Sequence, residues 1–214
     1  MNPYVAVVDY GAGNLRSVVR ALEHAGAKAE TTSRPEDLER AAAIVLPGVA
    51  AAADTMKGLR ERGLVEPLLA GIRSGKPFLG LCMGLQALLT YSEEGGRQEC
   101  LDVIPGAVHK LPAGLKVPQM GWNEIACQAE HPLLDGIPDG TYFYFVHSFY
   151  AEPADAGVVV ATTEYGVRFP SILARDNVFA TQFHPEKSGA RGLQLYRNFV
   201  GQISGVPAEF SEAG

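Results

Sequence analysis

Lys76-Pro77-Phe78-Leu79-Gly80-Leu81-Cys82-Met83-Gly84-Leu85-Gln86 reads as a buried strand, a sharp turn and the approach to a helix. The apolar run at 78–81 predicts the strand, and the leucines from 85 onward predict a helix over 85–91. Cys82 sits between them, with a glycine two residues before it and another two residues after. This is the nucleophile-elbow pattern with cysteine in the place of serine. A turn sharp enough to push one side chain out between strand and helix leaves no room for neighbouring Cβ atoms, and glycine has none. The helix would aim its free N–H groups and positive dipole end at the sulfur, favouring a reactive thiolate. Those N–H groups can also hold an oxyanion. A structural, buried cysteine is the plainer reading, and G-x-C-x-G alone would leave it standing.

Working outward, the pattern before Cys82 is a repeated strand and helix. Residues 4–9 form an apolar run, followed by Gly11-Ala-Gly13-Asn14 and a helix over 15–24, with Asn14 at the N-cap position. The glycine-rich loop fails as a dinucleotide fingerprint because Arg16 stands where the third glycine belongs. Residues 28–32 are a second strand. Ser33 and Glu36 then suggest a capping box opening a helix. Residues 43–46 make a third strand ending in Pro47-Gly48-Val49, and helices follow around 50–60 and 64–74. This alternation predicts an α/β fold with a mostly parallel central sheet flanked by helices. Chemistry in such sheets lies beyond the C-terminal strand ends, which puts Asn14, Gly48 and Cys82 on one rim.

After residue 96 the periodicity changes to short strands and turns, which predicts antiparallel additions. Residues 171–175 and 178–183 flank Asp176-Asn177 as a hairpin, and a last helix spans 190–203. Residues 1–204 are expected to form a single domain, and 205–214 a frayed tail. The 214 residues carry a net charge of −6 and contain no Lys/Arg cluster, which argues against nucleic acid as a partner. No apolar run is long enough to span a membrane, and no signal peptide is expected. Cys82, Cys100 and Cys127 are odd in number and scattered, as in a reducing cytoplasm. No spacing resembles a metal site, and no cofactor is expected.

Two further segments raise the reading of Cys82. Gln182-Phe183-His184-Pro185-Glu186 brings an imidazole and a carboxylate two residues apart, facing one side if extended. Glu186 could orient His184, and His184 could take the thiol proton, as the third group does in a triad. Read singly, His184 could be a core histidine and Glu186 a loop charge. His147 follows an aromatic strand but has no carboxylate at triad spacing, so it reads as structural. Pro47-Gly48-Val49 is a turn that can also supply an oxyanion donor. Gly48 lets its peptide turn over, whereas β-branched Val49 resists positive φ and could hold the donor away at rest.

Gly80-Leu-Cys82-Met-Gly84-Leu-Gln86 and Phe183-His184-Pro185-Glu186 together resemble the class I (triad) glutamine amidotransferases, over nearly the whole chain. Asp9-Tyr-Gly-Ala-Gly-Asn14, Leu46-Pro-Gly-Val49, Val117-Pro-Gln-Met-Gly-Trp-Asn123, Tyr144-Phe-Val-His-Ser-Phe-Tyr150 and Thr181 to Ser188 resemble the branch that supplies imidazole glycerol phosphate synthases in histidine biosynthesis. The resemblance implies a flavodoxin-like fold and a catalytic Cys82, His184 and Glu186. It implies oxyanion donors at Val49 and Met83. Glutamine would be held by Gly48, Gln86, Ser148 and Phe149. Released ammonia would pass to a separate (β/α)8-barrel cyclase subunit, with Asn14, Gln119 and Lys187 toward that partner. Two positions depart from the family pattern. Ala50 stands where another glycine is usual, which stiffens the link after Val49, and Gln119 stands where histidine is common.

Three alternatives share parts of this pattern. Another class I amidotransferase would keep the triad and feed a different synthase. A free-standing γ-glutamyl cysteine hydrolase would need no partner. A binding module with a degenerate site would show no enhanced reactivity at Cys82.

Overall fold

Why the first half folds as alternating layers is visible in its burial. In the computed structural model, which describes residues 4–203, strands β1 (Tyr4–Val8), β2 (Lys28–Thr32), β3 (Ala43–Leu46) and β4 (Phe78–Leu81) follow one another. Between them come helices α1 (Leu15–His24), α2 (Pro35–Arg40), α3 (Ala52–Glu61) and α4 (Val65–Arg73). Every residue of β3 and β4 is buried, as expected for strands covered on both faces. Along β1 the side chains divide by parity. Val5 and Val7 pack in one core with Leu22 of α1, and Ala6 and Val8 pack in the other with Leu38, Leu59 and Leu68.

Helix α5 (Met83–Gln86) follows Cys82, and then come strands β5 (Tyr91–Ser92), β6 (Gln98–Glu99), β7 (Gly106–Lys110), β8 (Gln119–Glu124) and β9 (Ala126–Cys127). The chain continues through β10 (Tyr142–His147), β11 (Phe149–Pro153), β12 (Val159–Glu164), β13 (Arg168–Arg175), β14 (Val178–Thr181) and helix α6 (Gly189–Val200). The main sheet has eight strands in the order β2-β1-β3-β4-β14-β13-β12-β9. Pairing is parallel from β2 through β14 and antiparallel beyond it. The expected α/β architecture with antiparallel additions is therefore present. A four-stranded sheet, β11-β7-β5-β6, and an antiparallel ribbon of β8 and β10 complete it. No helix among the described residues is long and apolar enough to cross a membrane.

Some local expectations are corrected. The helix expected over 85–91 starts at Met83 and lasts four residues. It stops because segment 101–104 captures the carbonyls a longer helix would use: Leu101 N–H donates to Ala87, Val103 and Ile104 to Leu88, and Asp102 to Leu89. The Ser33–Glu36 capping box is not formed. Thr32 Oγ1 instead accepts from Arg34 N–H and donates to Asp37, whose carboxylate also takes Arg34 and Arg40. These contacts, Arg34 foremost and then Thr32, lower the Asp37 pKa to about 2. Asn14 caps α1 with its carbonyl, which takes the N–H groups of Ser17 and Val18, and not with its side chain. The expected frayed tail at 205–214 lies outside the described residues.

The Asp176-Asn177 hairpin forms as expected, with Asp176 at φ 52°. It also sets the position of β14. Asn177 Nδ2 donates to Ile72 and Lys76 carbonyls, and its own carbonyl accepts from Phe78 N–H at the start of β4. Beyond β14, Phe183 stacks on Phe143 with ring centroids 4.0 Å apart. Helix α6 then packs so closely that a Cβ on Gly192 would lie 1.9 Å from the Pro185 carbonyl oxygen. Gly192→Ala should therefore cost about 1–3 kcal/mol as the turn at 185–187 shifts, and lower Tm by about 2–4 °C per kcal/mol. Thermal unfolding measures this, and an unchanged Tm would refute the packing.

Candidate active site

The elbow is a steric construction. A Cβ on Gly84 would lie 1.9 Å from the Leu46 carbonyl oxygen, and one on Gly80 would lie 2.7 Å from that of Gly84. The turn thus lies flush against β3. It forces Cys82 to φ 52° and ψ −102°, a conformation an L-residue adopts at a cost. Cys82 N–H is tied to the Thr181 carbonyl at 2.7 Å, so Cys82 is anchored to the strand that leads into His184. The sulfur lies 3.8 Å from the Val146 carbonyl oxygen, to which the thiol donates, and 3.6 Å from Gln182 Nε2. α5 is a single turn, so no long helix dipole ends at the sulfur, and the Cys82 side chain makes no capping hydrogen bond to it.

His184 Nδ1 and Glu186 Oε1 are 2.8 Å apart, with side chains only 3% and 2% exposed. The pair does not form along an extended strand, as the spacing suggests. Pro185–Lys187 is a 3-10 turn, and it folds the carboxylate back onto the ring. Nδ1–H donates to Glu186, which leaves Nε2 as the acceptor for a thiol proton. Nε2 is buried without a hydrogen-bond partner. Burial opposes charge on the imidazole, but Cys82 and Glu186 outweigh it and raise its pKa. Ser188, which sequence reasoning did not single out, holds the turn. Its Oγ donates to the His184 carbonyl at 2.7 Å and accepts from Tyr144 N–H at 3.0 Å. His184 N–H in turn donates to the Tyr144 carbonyl.

A cleft of about 240 Å³ opens beside these groups, lined by Val49, Cys82, Met83, Gln86, Ser148, Phe149 and His184 among others. It is small beside the ~300–1,000 Å³ of sites for drug-sized ligands. Gly48 lies in contact range of its floor. A Cβ there would meet Met83 Cβ at 2.5 Å and the Tyr10 hydroxyl at 2.8 Å, so close approach requires this glycine. Val49 does not have a positive φ, and its side chain is exposed. Gln86 Nε2 donates to the Phe149 carbonyl and to Gln182 Oε1. Glu94, also missed in the sequence, lines the cleft and accepts from Ala52 N–H at 2.7 Å.

His147 is at the cleft and not merely a strand-end residue. Its Nδ1–H donates to the Phe149 carbonyl at 2.8 Å, and Nε2 lies 2.9 Å from Gln119 Oε1. Burial, opposed by the Phe149 contact and aided by His184, lowers its pKa to about 4. A neutral ring protonated on Nδ1 is satisfied at Nε2 once the Gln119 amide is turned over to exchange its Oε1 for its NH2 group. Gln119, expected to face outward, is 3% exposed and turned into this contact. Its neighbours Met120 and Trp122 carry the exposed face of β8. Asn14 is half-buried at the strand-end rim, beside Gly13, whose added Cβ would lie 3.6 Å from Pro47. Lys187 is exposed, its Nζ 5.8 Å from the Tyr144 ring.

The family model for class-I glutamine amidotransferase matches residues 6–203. The chain belongs to the class I glutamine amidotransferases. This amidotransferase is 51% identical over 195 residues to the imidazole glycerol phosphate synthase subunit HisH of Dehalococcoides mccartyi strain CBDB1, covering 91% of the chain and 95% of that relative. It is 53% identical over 201 residues to the subunit of the same name from Chloroflexus aurantiacus, covering 92% and 94%. The structure of PurLQS from Thermotoga maritima superposes with a TM-score of 0.75 at 20% identity, over 94% of this chain and 99% of that one, a likeness of fold.

The neutral His147 gives the amidotransferase a pH signature. A histidine whose folded pKa is depressed from 6.5 to about 4 stabilises nothing on protonation, and stability falls as pH drops through that window. Relative to His147→Gln, the native chain should lose roughly 3 kcal/mol between neutral pH and pH ~4. Urea unfolding at several pH values measures it. A pH-independent difference would mean that the ring is charged in the fold.

Proposed function

We propose that this chain is the glutaminase subunit of an imidazole glycerol phosphate synthase, acting through Cys82, His184 and Glu186. The observation that carries the reading is the buried His184–Glu186 pair directed at a cysteine held at φ 52°. His184 Nε2 takes the thiol proton while Glu186 stabilises the imidazolium. The thiolate attacks the carboxamide carbon of glutamine, and the N–H groups of Met83 and Val49 hold the oxyanion. Collapse expels ammonia, with His184 returning the proton and a glutamyl thioester left on Cys82. Water, deprotonated by His184, cleaves the thioester and releases glutamate. Ser148, Phe149 and the backbone at Gly48 would hold the substrate. Gln86 uses its NH2 group on protein acceptors, which leaves its Oε1, together with the Glu94 carboxylate, for the α-ammonium group.

The relatives' printed name, a subunit of imidazole glycerol phosphate synthase, supports such a synthase as the destination of the ammonia. In this reading a (β/α)8-barrel cyclase subunit uses it to convert PRFAR to imidazole glycerol phosphate and AICAR. The surface offers a place for it. Met120, Trp122 and Tyr142 are exposed on the β8–β10 ribbon, next to Tyr144 and Lys187. Aromatic, methionine and cationic side chains in one patch suit a protein interface. Asn14 lies on the same strand-end rim as the elbow. The three free cysteines agree with a cytoplasmic setting.

Cys82→Ala and His184→Ala should each abolish glutamine-dependent synthesis in a mixture with the cyclase, while ammonium salts still support it. Loss of both activities would mean that the substitutions act through folding or assembly. Glu186→Gln should be milder, because it weakens orientation and removes no reacting group. A second test concerns the isolated chain, where Val49 and Ala50 hold one oxyanion donor out of reach. Its glutamine turnover should be lower by about a hundredfold or more than with partner and partner ligand present. Val49→Gly should raise the basal rate and change the stimulated rate less. Full glutaminase activity of the isolated chain would favour a free-standing hydrolase.

A further inference from the structure

Gln182 is buried completely, 0% exposed, and has no part in the triad. Its Nε2 nevertheless touches the reacting atom, lying 3.6 Å from Cys82 Sγ. We infer that Gln182 is a catalytic residue, the fixed N–H donor that stabilises the Cys82 thiolate. The inference rests on the reading of Cys82 as the nucleophile.

Which end of the Gln182 amide faces the sulfur is settled by a main-chain carbonyl. The Phe149 carbonyl can only accept, and it lies 2.8 Å from the Gln86 side-chain amide. Gln86 must therefore present its NH2 group there. The second hydrogen of that group reaches Gln182 Oε1 at 3.0 Å. A rotated Gln182 would bring two NH2 groups together and set its oxygen against the sulfur. In the observed arrangement Gln86 donates to both the Phe149 carbonyl and Gln182 Oε1, and Gln182 donates to Cys82, so every donor meets an acceptor.

The two contacts of the sulfur respond oppositely to ionisation. The Val146 carbonyl accepts the S–H at 3.8 Å and has nothing to accept once the proton has gone to His184. The Gln182 N–H strengthens as its acceptor becomes charged. A preoriented, fully buried donor of this kind shifts the proton transfer toward the thiolate and needs no rearrangement.

The test is the rate at which iodoacetamide alkylates Cys82 in the free, full-length chain, with the half-buried Cys100 as internal reference. Gln182→Glu keeps the size and the acceptor for Gln86 but puts an oxygen against the sulfur. Gln182→Met keeps the size without a donor. At neutral pH the Cys82 rate should fall about tenfold in Gln182→Met and further in Gln182→Glu. The deficit of Gln182→Met should close at strongly alkaline pH, where the sulfur ionises unaided; a packing defect would persist there. Gln86→Leu, which frees the Gln182 amide to rotate, should slow alkylation in the same way, and serves if the substitutions at 182 do not fold. Unchanged Cys82 rates in folded Gln182→Glu and Gln182→Met, against a fast native Cys82, would overturn this inference alone. A native Cys82 no faster than Cys100 would overturn the nucleophile reading beneath it.

Discussion

The contact between the turn at Gly84 and the Leu46 carbonyl is the constraint on which the rest of the site depends. With 1.9 Å available to a Cβ, only glycine allows α5 to lie against the end of β3. That approach fixes the direction in which the chain leaves β4, and so fixes the backbone of Cys82. The same closeness brings Met83 against Gly48, so the two peptides proposed as oxyanion donors are neighbours by construction. The strain at Cys82 persists because hydrogen bonds surround it: its N–H to Thr181, and its carbonyl to Leu85 and Gln86.

The second half of the site depends on strand order. Placing β14 directly beside β4 brings Cys82 and Gln182 together just past the paired residues Leu81 and Thr181. Asn177 secures that register from the opposite end of the strands. The β8–β10 ribbon then closes over the site. Its inner face supplies Gln119 and His147, its backbone holds His184 through Tyr144, and its outer face carries Met120 and Trp122. One ribbon thus touches His184, Cys82 and solvent.

The sequence was most legible where apolar pattern and steric need coincide. The runs at 28–32, 43–46 and 78–81 stand as strands with those bounds, and the G-x-C-x-G spacing encodes the elbow. The histidine and the glutamate came from spacing because the turn at 185–187 confines them to one short segment, and the cysteine came from its flanking glycines. What was not legible depends on partners far along the chain. Nothing in Ala87-Leu88-Leu89 shows that segment 101–104 will take its carbonyls and end α5. Thr32 displaces Ser33 from the α2 terminus because it can serve Arg34 and Asp37 at once. Gln119 is placed toward the partner by the family resemblance alone. Strand alternation turns it inward, where His147 waits 28 residues away. Gln182, Ser188 and Glu94 carry no motif of their own and acquire meaning only from what they meet.

The adjacency of β4 and β14 also sets a timetable for the molecule during its own synthesis. Cys82 and Gln182 are 100 residues apart, and His184 and Glu186 come later still. At about 5–20 residues per second, the cysteine leaves the ribosome several seconds before the groups proposed to make it reactive. During that interval the elbow can settle on β3 from sequence already made, while its thiol lacks both base and donor. The hazard of an exposed nucleophile on a growing chain is thereby deferred until the last strand is inserted.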